Sequence, residues 1–153
     1  MRTRAIAMAF SVAGIIAATA ASAETKASLV KFEITKGESI AHSLTGQQGD
    51  PVKGRAVAIH RKKGNCLACH AMPAPEQQFH GNIGPDLTGV ASRYSSGELR
   101  LRLVDATIIN EDTIMPAFYR NVGLHRVLKK FKGKTVLSAQ EVEDVLAYLL
   151  TLK

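Results

Sequence analysis

Two cysteines and the histidine directly after them make the most chemically loaded stretch of this 153-residue chain, Cys66-Leu67-Ala68-Cys69-His70. The sequence holds no other cysteine. One helical turn separates the thiols, so both can add to the two vinyl groups of one porphyrin, while His70 swings its imidazole under the iron. This is the attachment pattern of a single, covalently bound haem c. Two other chemistries use a Cys-x-x-Cys pair. A redox dithiol needs a strand-helix-strand frame, and a structural zinc site needs two more ligands at matching spacing. Neither accompanies the motif.

Iron held by His70 needs a group on its other face, and that group decides between electron transfer and small-molecule binding. Of the four methionines, Met1 and Met8 lie in the leader described below, and Met72 is too close to His70 to reach round. Met115, stiffened by Pro116, is far enough along the chain to wrap over. The competitors are His42, His60, His80 and His125, and the site could also be open. Pro85 is placed to pack near the proximal imidazole and to offer its carbonyl to the second ring nitrogen. Arg93 and Tyr94 could donate to the haem propionates. The plainer alternatives are a turn residue for Pro85 and a surface charge for Arg93.

The elements that must position these residues read as follows. Met1 to Arg4 are basic, an apolar run follows, and Ala21-Ser22-Ala23 closes it, which predicts a signal peptide over residues 1–23. The apolar run is short for a membrane anchor. Export suits the cysteine motif and names the periplasm. Without the leader, 18 Lys and Arg face 13 Asp and Glu, a balance near +5. That suits an acidic protein surface or a small anion and is too weak for nucleic acid. The cluster from Lys129 to Lys134 reads as a solvated loop that could also steer a partner.

Residues 24–48 are polar and weakly patterned, an N-terminal arm that wraps the domain or meets a partner. Residues 49–153 form one domain. Asp50-Pro51 starts a helix whose apolar surface is Val52, Ala56, Val57 and Ile59, stopped by Lys63-Gly64. Irregular chain through residues 72–87 follows, then a helix over 96–106 and a short helical turn within 122–131. Ser138 and Glu141 make a capping box for a last helix carrying Val142, Val145, Leu146 and Leu149 on one face. No strand signal competes. A small all-α domain follows, with the porphyrin completing its core.

Over residues 49–153 this order of helix, haem motif, Gly84-Pro85-Asp86-Leu87 loop, Met-Pro loop and amphipathic last helix resembles a class I cytochrome c. The words Gly64 to His70, Gly81 to Pro85, Met115 to Tyr119 and Ala139 to Val145 resemble the SoxX family, monohaem subunits of SoxAX cytochromes. The resemblance implies a heterodimer with a larger haem subunit, SoxA. That complex joins thiosulfate to a cysteine of the SoxYZ carrier protein and passes electrons to a soluble acceptor cytochrome, with no membrane or nucleic-acid partner. The catalytic cysteine belongs to SoxA, so this chain is a non-catalytic electron-transfer subunit of a cysteine S-thiosulfotransferase. Both its thiols are taken by haem, in keeping with that division. The rival readings are a free-standing cytochrome c carrier and a haem sensor or small peroxidase with an open sixth site.

Overall fold

The computed structural model describes residues 29–153. The predicted leader and the first residues of the arm lie outside them. Four helices order the chain: α1 (Pro51–Ile59), a short α2 (Val90–Arg93), α3 (Ser96–Asp105) and α4 (Ala139–Leu149). Single turns of tighter 3-10 helix cover Cys66–Ala68, Ala106–Ile108 and Lys129–Phe131. Among the described residues no strand forms, and an isolated bridge between Thr35 and Ser39 is the only extended pairing. No described helix is long and apolar enough to cross a membrane.

Local sequence explains the helix starts. Asp50 Oδ1 accepts from the backbone N–H groups of Val52 and Lys53, and Pro51 takes the first position, where no amide partner is needed. Ser95 with Glu98, and Ser138 with Glu141, close reciprocal capping boxes on α3 and α4. Val142 and Val145 of α4 and Leu101 and Val104 of α3 are almost wholly buried. Each such side chain contributes roughly 1.5–3 kcal/mol relative to exposure.

The apolar face predicted for α1 is corrected by the structure. Val52 is 78% exposed and Ala56 is also exposed, while Gly54 and Ala58 turn inward. The reason is the crossing with α4, where a Cβ on Gly54 would fall 2.8 Å from the Val145 amide nitrogen and closer still to the Asp144 carbonyl. Small residues let two backbones touch. α1 also ends at Ile59, short of the predicted Lys63-Gly64 stop, with His60 extended as its cap. The helical turn predicted within 122–131 shrinks to Lys129–Phe131, because Gly123 and Arg126 take left-handed backbone angles that no helix continues.

The arm is more deeply engaged than its polar composition predicts. Ile40 and Leu44 join the core at 1% and 4% exposure. Ile40 N–H donates to the Gly97 carbonyl at 3.0 Å. Arg100 and Glu143, both buried, pair at 2.9 Å and 3.1 Å. Arg100 Nη1 also donates to the Ile40 carbonyl at 2.7 Å, and Glu143 Oε1 accepts from Leu44 N–H at 2.9 Å. One ion pair thus ties the arm, α3 and α4 together.

Candidate haem site

The Cys66 to His70 stretch leaves α1 through Gly64 and a left-handed Asn65, then coils into one 3-10 turn closed by Cys69 N–H donating to the Cys66 carbonyl at 3.1 Å, which also accepts from His70 N–H at 2.9 Å. Residues 81–87 are laid along it. Gly81 N–H donates to Leu67 O and Gly84 N–H to Cys69 O, both at 2.8 Å, and Leu87 N–H to Ala71 O at 2.9 Å. Such a lattice excludes side chains at two positions. A Cβ on Gly81 would stand 2.7 Å from Cys69 Cα, and one on Gly84 would stand 2.6 Å from His70 Nδ1 and 2.8 Å from Nε2.

His70 Nδ1 lies 2.6 Å from the Pro85 carbonyl oxygen. A carbonyl only accepts, so Nδ1 carries the proton and Nε2 presents a lone pair. An imidazole fixed in this way is oriented to ligate through Nε2. Arg93 takes partners that the sequence did not suggest: its terminal nitrogens donate to the Thr88 and Asp86 carbonyls at 2.7 Å and 2.6 Å. It thereby stiffens the loop that begins at Pro85. Tyr94 lies beneath the Arg102 guanidinium, 4.2 Å from its ring centroid.

Cys66, Tyr94 and Met115 are each partly buried against the same hydrophobic cluster. The Met115 loop is held at its base. Phe118 and Tyr119 N–H groups donate to the Leu103 and Val104 carbonyls at 3.2 Å and 3.1 Å, and Arg120 pairs with the buried Asp105 at 2.7 Å. Sequence reasoning missed Asp105 and Arg120, and no local signal marks them. The competing histidines are otherwise engaged or exposed. His80 accepts from Met72 N–H at 3.4 Å and reaches the Ala74 carbonyl at 3.3 Å, and His60 Nδ1 accepts from Lys62 N–H. His42 and His125 are exposed.

Without haem, burial pushes the Cys66 thiol up to about 11. Among the described residues no further cluster of His, Cys, Asp or Glu could complete a metal cage around it. The residues fit a haem instead: two thiols that make no disulfide, an imidazole with Nε2 free, and a glycine cradle that leaves room for the ring of His70.

The cytochrome c family model matches residues 51–153. Among solved structures, the chain is similar to one from the crystal structure of SoxXA from P. pantotrophus. The two share 38% identity with a TM-score of 0.72, over 78% of this chain and 93% of that one. No curated protein matches. The spaced pair Cys66 and Cys69 is the covalent attachment site of one haem c. With a family model running from α1 to the last residue, and that identity over nearly the whole of a solved relative, the chain belongs to the cytochrome c family, in its SoxX branch.

Proposed function

We propose that this protein is the electron-transfer subunit of a periplasmic SoxAX-type complex. In that reading a larger haem subunit, SoxA, carries the catalytic cysteine and joins thiosulfate to a cysteine of the SoxYZ carrier. Electrons released there leave through a soluble acceptor cytochrome. The observation that carries the reading is the 38% identity to a chain of SoxXA across 93% of that chain. The cysteine inventory supports it, since both thiols go to haem attachment and none remains for sulfur chemistry.

When bound, haem c supplies a one-electron couple. Cys66 and Cys69 anchor it covalently. His70 would offer Nε2 to the iron, held in that tautomer by the Pro85 carbonyl. Met115 would offer its thioether as a second ligand, a group that raises the potential and closes such a site to exogenous ligands. Side chains held by two anchored loops would stay in place in both redox states, so electron transfer would need little rearrangement. Arg93 and Tyr94 would donate to the haem propionates, Arg93 in addition to its bonds to the Thr88 and Asp86 carbonyls.

The test is to purify the tagged protein from the periplasm of its host growing on thiosulfate. A second, larger haem protein in fixed ratio is expected by native mass and haem staining. A lone monohaem monomer would overturn the subunit reading in favour of a free-standing carrier. Carbon monoxide binding to the ferrous protein at neutral pH would instead favour an open-site sensor or peroxidase.

A further inference from the structure

The arm reaches the segment that carries Met115. Val30 N–H donates to the Tyr119 hydroxyl oxygen at 3.0 Å, across 89 positions of the chain. Tyr119 stands four residues past Met115 and is 6% exposed. It is held at both ends, because its own N–H is bonded to the Val104 carbonyl of α3. Leu29 and Phe32, on either side of Val30, pack against the same hydrophobic cluster as Met115.

The hydroxyl is what separates this contact from plain packing. A phenylalanine would fill the same space, and a buried hydroxyl is a cost unless it finds a partner. Among the described residues, the bond to Tyr119 is the only hydrogen bond made by residues 29–34. The tether at Ile40 and Leu44 runs instead to Arg100 and Glu143, on α3 and α4. The arm therefore has two separate attachments, an inner one to the helices and an outer one to the chain that presents Met115.

We infer that Tyr119 is a positioning residue through which residues 29–34 hold Met115 at the iron, so that the seating of the arm and the methionine ligation stabilise each other. The inference rests on the reading of Met115 as the second iron ligand. Release of the arm removes one hydrogen bond from the Met115 segment, and a hydrogen bond of ordinary net strength corresponds to a roughly 2- to 12-fold change in a local opening equilibrium. The coupling is reciprocal: whatever displaces the methionine loosens residues 29–34 by the same factor. The step is a ligand dissociation, the sulfur leaving the iron with its electron pair, and neither an electron nor a proton is transferred.

Imidazole binding to the ferric holoprotein competes with Met115, so its affinity reads the opening equilibrium. Tyr119→Phe removes the acceptor and keeps the ring, whereas Val30→Pro removes the donor and keeps the hydroxyl. Each should raise imidazole affinity roughly 2- to 12-fold, and the double variant should go no further than either alone. Val30→Ala, which keeps the amide, should leave the affinity at its wild-type value. In the reverse direction, saturating the wild type with imidazole should speed hydrogen exchange at the Val30 amide by the same factor. In Tyr119→Phe that amide should exchange fast with or without imidazole. Wild-type imidazole affinity in Tyr119→Phe, or additive effects in the double variant, would overturn the inference. So would a lowered melting temperature of Tyr119→Phe with the imidazole affinity untouched, which is stabilisation without positioning. A Met115→Ala protein with wild-type ferric and ferrous spectra would instead count against the ligand reading itself.

Discussion

Gly54 of α1 lies in backbone contact with Asp144 of α4, and a Cβ added there would overlap the Asp144 carbonyl and stand 2.8 Å from the Val145 amide nitrogen. Gly54→Ala must therefore push the two helices apart. Overpacking of this kind costs about 1–3 kcal/mol, and rigid backbone on the other side places it at the upper end. Chemical denaturation of the holoprotein should show it. Val52→Ala, on the exposed face of the same helix, is the control and should move stability by less than about 0.5 kcal/mol.

A second glycine bears on His70, the proposed iron ligand. A Cβ on Gly84 would sit 2.6 Å from His70 Nδ1, the atom that faces the Pro85 carbonyl. Gly84→Ala is expected to tilt the imidazole and lengthen that hydrogen bond, lowering the basicity it lends to Nε2. The expected outcome is poorer haem incorporation and a displaced reduction potential in the fraction that does load, read by visible spectra and potentiometric titration. An unchanged potential at full loading would mean that the loop yields instead.

These two glycines show where legibility ended. The haem motif and the Ser138–Glu141 capping box are written in consecutive residues, so their physics is complete in a window of a few positions. Gly54 and Gly84 look like any other glycine until the chain that presses on them is in place. The same holds for Arg100 and Glu143, which meet across 43 positions, and for Asp105 and Arg120. Val52 misled because hydropathy predicts which residues prefer burial, while the crossing with α4 admits only small ones. That the arm wraps the domain was one of two readings its polar composition left open; Ile40 and Leu44 are enough to fix it there once a buried ion pair satisfies its backbone.

That ion pair gives the third prediction. Arg100 and Glu143 expose 8% and 4% of their side chains, and removing one leaves the other charge buried without a partner, at a cost of about 3–5 kcal/mol. Glu143→Ala also strands the Leu44 amide. Residues 29–48 should then become sensitive to limited proteolysis before the rest of the domain does. A double change, Arg100→Met with Glu143→Leu, should recover much of the stability of the helices and still leave the arm loose, because the Ile40 carbonyl and Leu44 amide remain unpaired.

Glu141 sets an acid limit. Burial raises its carboxyl, but the hydrogen bond from Lys63 and that from the Ser138 amide outweigh it, so the group is held below its usual value of 4.5. A depressed carboxylate contributes stability that is complete above its unfolded value and is lost as pH falls through the folded one. Glu141→Gln keeps the capping geometry and removes the charge. The variant should be less stable than wild type at neutral pH, with the gap closing below about pH 4.5. Thermal melts across that range measure it, and raised salt should narrow the gap at neutral pH.

The last prediction concerns the base of the Met115 loop. Asp105 exposes 7% of its side chain, and its carboxylate accepts from Thr107 N–H and Oγ on one oxygen and from Arg120 on the other. Arg120→Ala takes away the only cation in that group, and a buried carboxylate left short of a partner costs about 1–3 kcal/mol or more. The loss falls where Phe118 and Tyr119 are stitched to α3, so the strain is local to the segment that presents Met115, the proposed iron ligand. Loop opening, rather than global unfolding, is the cheaper response. The variant should therefore lose the long-wavelength methionine-to-iron charge-transfer band and admit carbon monoxide in the ferrous state, at temperatures where far-ultraviolet circular dichroism still reports intact helices. Arg120→Lys, which restores the charge on a shorter side chain without the fixed guanidinium that reaches both Asp105 and Thr107, should bring the band back in part. A fall in melting temperature with the band untouched would show that the pair stabilises the fold without positioning Met115.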